Sequence, residues 1–361
     1  MKTKSKKLRS LIICFLLLTA FLAGCNNNGD ENEDEKKETT GADVIKNETL
    51  FDLDLTEREI AFVEDLTEKD FETLTPEDLK IYKTISVVGD HVLFGEYLAN
   101  VGQGTYMIKY DQYEIGPDYS DCLYLLKYFP ELKNISIYFH NTLTDASFLK
   151  DIPNLEKLTL YGTRIEDLSV LKNHPKFKFL DVKNSPVSKI EFHEDAVLDV
   201  IILDSTFFGD LSIIEGQSKM TQVSIRESFV PITNTQVLAK FKQIDILDLV
   251  APACDYSFFE DMSVGIPNVT LGGYDNIDLS VLNKVIDDMW TFYLYFSKGT
   301  DLTILDKLHE GGGIFLFGCN PGDRGTRTTE GAEHLREYPD TTWSYPYYKK
   351  YLPEFLPEEF K

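Results

Sequence analysis

The chain has 361 residues, with 36 Lys and Arg against 60 Asp and Glu and a formal net charge of −24. Such a surface repels phosphate backbones and anionic headgroups, which argues against nucleic acid and against anionic lipid as partners. Hydrophobic residues make up 43% of the chain, and their spacing decides what they build.

At the start, Lys2, Lys4, Lys6, Lys7 and Arg9 precede the apolar run LIICFLLLTAFL, which ends at Leu22-Ala23-Gly24-Cys25. The run is short for a membrane span, and small residues directly precede a cysteine. This pattern resembles the bacterial lipobox, which implies that residues 1–24 are a lipoprotein signal peptide and that the Cys25 thiol takes a diacylglycerol. A plain signal peptide or a membrane-spanning anchor is the other reading. Two or three acyl chains, at about 0.8 kcal/mol per buried methylene, hold a protein on a membrane where one chain does not. The expected location is therefore the cell membrane, lipid-anchored and facing the extracellular side. Residues 25–49 are rich in acids and without apolar period, which predicts a disordered tether averaging roughly 25 to 30 Å in length.

Residues 50–84 carry two helix-start signals. Thr56-Glu57-Arg58-Glu59 reads as a capping box before IAFVEDL, and Thr75-Pro76-Glu77-Asp78 places an N-cap and a first-turn proline before LKIYKTI. Two short helices here are expected to form an N-terminal cap over the first open face of a repeat array that begins at residue 85.

From residue 85 to residue 320 the chain repeats itself. Leu155, Leu158, Leu160, Ile165 and Leu168 return 22 residues later as Phe177, Leu180, Val182, Val187 and Ile190. The strand pair apolar-x-apolar occurs at Ile135/Ile137, Leu158/Leu160, Leu180/Val182, Ile201/Leu203, Val223/Ile225, Leu247/Leu249, Val269/Leu271, Phe292/Leu294 and Ile314/Leu316. An apolar residue stands three before each pair, from Leu132 to Met289, failing only at Gly311. Ile85/Val87 and Ile108/Tyr110 are weaker copies, giving nine strands firmly and eleven at most. A period of this length with an L-x-x-L-x-L core is the signature of leucine-rich repeats.

The unit resembles the internalin-type leucine-rich repeat, and TRIEDLSVL at 163–171 matches its second half. The resemblance covers roughly residues 79–320. It implies an α/β leucine-rich repeat solenoid: a curved parallel β-sheet on the concave face, short helical or irregular convex turns, and a helical N-terminal cap. Where the family has an asparagine, this chain has His140, Thr163, Ser185, Thr206, Ser228, Pro252, Tyr274, Ser297 and Cys319. Weaker hydroxyl bonds are expected to replace that ladder, with most irregularity near Pro252 and Tyr274.

Alternation along each strand sends the residues flanking the core pair to the opposite face. The ligand-binding candidates on that face are Tyr138, Tyr161, Phe179, Asp181, Lys183, Asp204, Arg226, Tyr293, Tyr295, Phe315 and Phe317. Residues 321–361 lose the period and form a C-terminal cap or tail. Its segment Tyr338 to Phe360 is rich in proline and aromatics, and is expected to fold back over Tyr293, Tyr295, Phe315 and Phe317. That leaves the surroundings of Tyr138, Tyr161 and Lys183 as the better binding region.

Catalytic signals are missing. There is no H-E-x-x-H and no G-x-S-x-G, and the triglycine at 311–313 lacks the lysine of a phosphate loop. His91, His140, His174, His193, His309 and His334 show no ligand spacing. After Cys14 and Cys25 are set aside, Cys122 has no clear repeat slot, while Cys254 and Cys319 occupy inward slots and are expected to be reduced and buried. Three repeats at about 4.8 Å per strand hold those two about 14 Å apart, beyond disulfide reach. No catalytic residue, metal or cofactor is therefore assigned. The expected function is that of a lipid-anchored surface protein that binds a protein or cell-wall ligand, as the internalin resemblance implies. A structural or assembly factor for other envelope proteins, and a hydrolase with a site in the irregular C-terminal part, are the alternatives.

Overall fold

The computed structural model describes residues 49–88, 96–101, 104–109, 119–138, 142–273, 277–295, 300–301, 303–308 and 313–317. The leader with Cys25, nearly all of the tether, Tyr110, His140, Tyr274, Ser297, Cys319 and the tail lie outside these residues.

Fourteen strands are described. They are β1 (Thr84–Val88), β2 (Glu96–Val101), β3 (Gly104–Lys109), β4 (Asn134–Tyr138), β5 (Lys157–Tyr161), β6 (Asp167–Leu168) and β7 (Phe179–Asp181). They continue as β8 (Lys189–Ile190), β9 (Val200–Ile202), β10 (Lys219–Ile225), β11 (Gln243–Val250), β12 (Asn268–Gly272), β13 (Thr291–Tyr295) and β14 (Gly313–Phe317). Ten of them form one sheet in the order β1-β4-β5-β7-β9-β10-β11-β12-β13-β14. All of its pairings are parallel, and the apolar pairs sit in a single register: Ile135 opposite Leu158, Val223 opposite Leu247, Val269 opposite Phe292. Each turn of chain adds one strand beside the last, so the fold is a leucine-rich repeat solenoid.

The reason for the register is burial. Leu158, Leu160, Leu180, Val182, Leu247, Leu249, Phe292 and Leu294 are all 0% exposed. The residue three before each pair is buried as well, from Leu132 through Phe177 to Met289. Short 3-10 turns close every repeat except the one between β7 and β9, and send Leu149, Leu171, Leu238 and Leu282 into the same core. A one-residue slip would turn every strand's apolar pair to the other face, which is why the register holds across ten strands.

An Asp-x-Ser or Asp-x-Thr turn recurs at the entrance to the 3-10 segments. The carboxylates of Asp145, Asp167, Asp210, Asp255, Asp278 and Asp301 each accept the backbone N–H two residues on, at 2.7 to 3.0 Å. These bonds satisfy donors that a 3-10 turn leaves without an internal partner. They also hold Asp167 down, to about 2, with the Ser169 hydroxyl as the largest cause.

Three expectations need correction. Ile108 is not a repeat strand: β3 pairs antiparallel with β2 in a separate two-stranded sheet. The connection is only Gly102-Gln103, a two-residue glycine-containing link that favours a hairpin over a crossover. The second N-terminal helix is a single turn, α2 (Pro76–Leu79), because Thr84–Val88 is taken into the sheet beside β4. The first, α1 (Glu57–Thr67), has the expected capping box between Thr56 and Glu59. It packs Phe62 against the Tyr119 ring at 5.1 Å, while Tyr119 donates to Asp65 at 2.7 Å. Third, Cys254 is half-buried, not enclosed, whereas Cys122, which had no slot, is 1% exposed in the 3-10 segment Ser120–Tyr128.

The hydroxyl ladder is local. Thr163 Oγ1 donates to Ser185 Oγ at 3.0 Å across one repeat, but Thr206 turns back to Leu203 O at 2.9 Å and Ser228 to Val230 O at 2.9 Å. At the repeat of Pro252, which has no hydroxyl, Tyr256 takes over. Its Oη lies 2.8 Å from Gly272 O and 3.1 Å from Leu249 O.

Candidate functional site

The register lines up the outward residues in rows along the face away from the core. One row runs Lys157, Phe179, Val200, Gln222 and Ile246, and the next Thr159, Asp181, Ile202, Ser224, Asp248, Thr270 and Tyr293. Tyr138 and Tyr161 are paired in a third row, as are Val250, Gly272, Tyr295 and Phe317.

The middle of this face carries a compact charged group. Asp204 Oδ1 accepts from the Arg226 backbone N–H at 2.9 Å and from Ser224 Oγ at 2.6 Å. Its other oxygen, Oδ2, accepts from Arg226 Nε at 3.1 Å and Nη2 at 2.9 Å. Lys183 Nζ stands 3.7 Å from Asp181 Oδ2. Burial is deep for charged groups: Asp204 is 7% exposed and Asp248 6%, with Ser224 between their strands at 0%.

Charge and burial compete differently at each carboxylate. Burial pushes Asp204 up, but Arg226, Lys183, the Ser224 hydroxyl and the Arg226 N–H together hold it below the ordinary carboxylate value. At Asp181 and Asp248 burial wins and both are raised; Lys183 and Arg226 respectively oppose it only in part. Arg226 is raised, first by Asp204 and, against its burial, also by Asp248. Among the described residues, three carboxylates here share two cations.

The C-terminal aromatics adjoin the group. Tyr293 and Tyr295 are half-buried, and burial raises both phenols, with Asp248 and Arg226 close enough to act on each. Between them and the charges lies Gly272, where a methyl group would fall 2.7 Å from Tyr295 Cβ and 2.9 Å from Val250 Cγ1. Only glycine allows β11, β12 and β13 to approach this closely.

The other candidates are spread along the face. Tyr161 is buried at 7% and its Oη accepts from Asn184 Nδ2 at 2.8 Å. Tyr138 and Phe179 are half-buried, and Lys157 Nζ lies 5.6 Å from the Phe179 ring centre, a cation–π distance. Phe315 and Phe317 are described only as part of β14. The structure therefore brings Asp181, Lys183, Asp204 and Arg226 together, with Tyr293 and Tyr295 at their edge. Ser224, Asp248 and Thr270 belong to the same group and were not singled out among the candidates. Their places in the outward rows were readable from the period, but their burial was not.

A second recurring feature lies at the strand exits. Gly162, Asn184, Ser205 and Glu227 all have positive φ, between 52° and 66°. Each directly follows Tyr161, Lys183, Asp204 or Arg226, so the face's third row ends in a left-handed residue four repeats running. That conformation is uncommon outside glycine and asparagine, and Ser205 and Glu227 adopt it beside the charged group.

A ten-strand parallel ladder with this period defines a leucine-rich repeat protein. No protein-family model matches the chain, and no curated protein sequence does. Among solved structures, internalin C2 from Listeria monocytogenes is similar at 19% identity and a TM-score of 0.46, over 66% of this chain and 92% of that one. An internalin (inlF) from the same organism is similar at 14% identity and a TM-score of 0.38, over 78% and 93%. The fold assignment rests on the strand ladder itself.

Proposed function

We propose that this chain is a non-catalytic binding protein, held on the outer side of a cell membrane by a lipid on Cys25, whose outward sheet face receives a protein or cell-wall ligand. The observation that carries the reading is the alignment of polar, charged and aromatic side chains in register along one face of ten parallel strands. Such a face is broad and rigid, and rigid aromatic and arginine side chains are the usual anchors of protein interfaces. The N-terminal helices serve as the cap of the array, and the acidic tether lifts it off the bilayer. Near Tyr138, Tyr161 and Lys183 lies the part of the face assigned to the ligand.

Two measurements test this. Crosslinking on intact cells followed by affinity capture is expected to recover an envelope protein or wall fragment, with crosslinks on residues 134–183. Recovery of one fixed envelope complex in constant stoichiometry would instead favour an assembly factor. Cells carrying Cys25→Ser are expected to lose the protein from the membrane fraction, and retention at the wild-type level would refute the anchor.

A further inference from the structure

The chain's net charge is −24, but its sign is not uniform along the sheet. The four residues that lead into each strand's apolar pair form a rim at the strand entrances. At β1, β4, β5 and β7 these are residues 81–84, 131–134, 154–157 and 176–179, which hold Lys83, Lys133, Lys157, Lys176 and Lys178 against Glu131 and Glu156. At β9 to β13 the same positions reverse the balance, with Lys219 against Asp199, Asp245 and Asp288. Backbone bonds fix the order: Lys83 O accepts from Asn134 N–H at 3.0 Å, Lys133 O from Lys157 at 3.0 Å, Glu156 O from Phe179 at 3.2 Å and Lys178 O from Val200 at 3.2 Å. One row of the rim therefore reads Lys83, Lys133, Glu156, Lys178, Asp199.

The protein's own groups hold these lysines in place. Glu156 stands between two of them, Oε1 2.7 Å from Lys133 Nζ and Oε2 2.6 Å from Lys178 Nζ, and the pair keeps its carboxyl below the ordinary range. Lys157 Nζ lies over the Phe179 ring. Lys176 Nζ donates to Asn154 Oδ1 at 3.0 Å, and the Asn154 amide donates in turn to the Pro130 carbonyl at 3.1 Å. An ammonium has three donors, so one such bond leaves it able to take a further anion. The Lys133 and Lys178 side chains are 40% and 43% exposed, within reach of a ligand. Pinning also removes in advance part of the side-chain entropy that a lysine loses on binding.

Charge complementarity names the occupant. At physiological salt, charges act over roughly 8 Å, so the local sign of the rim decides what binds it more than the net charge does. From Lys83 to Lys178 is three strand steps, about 14 Å at roughly 4.8 Å each, which about four extended residues span. Past Lys178 the row meets Asp199, so a long polyanion is repelled where a short acidic stretch has already ended. We propose that the rim of β1, β4, β5 and β7 docks a short acidic segment of a partner protein, its carboxylates seated on Lys133, Lys157 and Lys178 around Glu156. The proposal rests on the reading that these repeats receive a protein, and it gives that protein a chemistry: an extended run of Asp or Glu laid across the strand entrances.

A fluorescent peptide carrying a short glutamate run tests the rim on the full-length protein. It is expected to bind at least tenfold more tightly than its glutamine counterpart at physiological salt. Lys157→Gln with Lys178→Gln is expected to abolish that preference, and Lys219→Gln, outside the rim, to keep it; a thermal melt shows that each variant is folded. Carbodiimide coupling of the bound peptide is expected at Lys133, Lys157 or Lys178. Equal binding of the two peptides, a preference that persists in the folded double variant, or coupling confined to other lysines would each overturn the proposal. Tighter binding of short-chain polyphosphate than of the glutamate peptide would overturn it too, by assigning the rim to a phosphate polymer. A partner captured on intact cells equally by the double variant and the wild type would sink the acidic docking and leave the protein-ligand reading standing. Capture of no partner, with the glutamate preference intact, would sink that reading and leave the rim's selectivity for acidic peptide.

Discussion

Both guanidinium nitrogens that Arg226 gives to Asp204 go to the same oxygen, Oδ2, while Oδ1 takes the Arg226 backbone N–H and the Ser224 hydroxyl. Asp204 thus accepts four hydrogen bonds from the next strand's residues, and the pair ties β9 to β10 through side chains as well as through the ladder. A buried pair of this kind contributes little over a packed apolar pair, but breaking it is costly because the survivor stays buried and charged.

Removing Arg226 is therefore expected to be severe. Arg226→Ala strands Asp204 and Asp248 without their shared counter-charge, and should cost about 3 to 5 kcal/mol in urea unfolding at pH 7. Asp204→Asn keeps the size and loses the charge, and should cost less than Arg226→Ala because Asp248 remains to face the arginine. Since Asp204 is held below its ordinary value, its contribution is present above about pH 4 and is lost as pH falls through its lowered value. A stability profile in which Arg226→Ala matches the wild type would show the pair to be ornamental.

Tyr256 carries a second expectation. Its phenol reaches two backbone oxygens, of Leu249 and Gly272, at the repeat where Pro252 replaces the usual hydroxyl. Tyr256→Phe preserves the ring and leaves those groups one partner short in a buried place, at a cost of about 1 to 3 kcal/mol. Hydrogen exchange at β11 and β12 should quicken with it. If neither the melt nor the exchange moves, the phenol is not the local substitute for the ladder.

Much of the fold was legible because one physical demand recurs. Every repeat must bury its strand pair and the residue three before it, so Leu132, Leu155, Phe177 and their successors set the phase of the whole sheet. The β2–β3 hairpin escaped the sequence because its apolar alternation imitates a repeat strand; the cue lay in Gly102-Gln103, outside the alternation. The site was legible only by address. Alternation placed Asp181, Asp204, Arg226 and Asp248 on the outer face, but strand periodicity cannot tell a solvated carboxylate from one 6% exposed. Nor can it show that Tyr256, four residues from the proline, reaches across to take its place.

The cysteines should be slow to react. Burial pushes the Cys122 thiol up to about 11 and the Cys254 thiol up to about 12. The thiolate is the nucleophile, so at pH 8 its loss alone should slow alkylation in the native protein, relative to the unfolded one, roughly a hundredfold at Cys122 and roughly a thousandfold at Cys254. Mass spectrometry of a timed alkylation reads each site separately. Fast native labelling of Cys254, the more accessible of the two, would show that its half-burial leaves it reactive.

His174 makes the sharpest pH prediction. It ends the 3-10 turn Ser169–Asn173, in the slot that holds Ile152 one repeat earlier, and it is 1% exposed. Neither ring nitrogen has a hydrogen-bond partner of ordinary geometry, and burial lowers its pKa, the Ile152 carbonyl offsetting this only in part. The folded protein thus holds the ring neutral while the unfolded chain protonates it near its ordinary value of about 6.5. Between that value and the lowered folded one the unfolded state binds the extra proton. Stability must then fall on acidification, by up to about 1.4 kcal/mol per pH unit from this group alone. His174→Leu, which fits the slot's apolar character, should be at least as stable at pH 7.5 and should lose less stability between pH 6.5 and 5. Urea midpoints across that range compare the two directly. If wild type and variant decline in parallel, the acid sensitivity belongs to other groups, and the buried imidazole is protonated in the fold as readily as outside it.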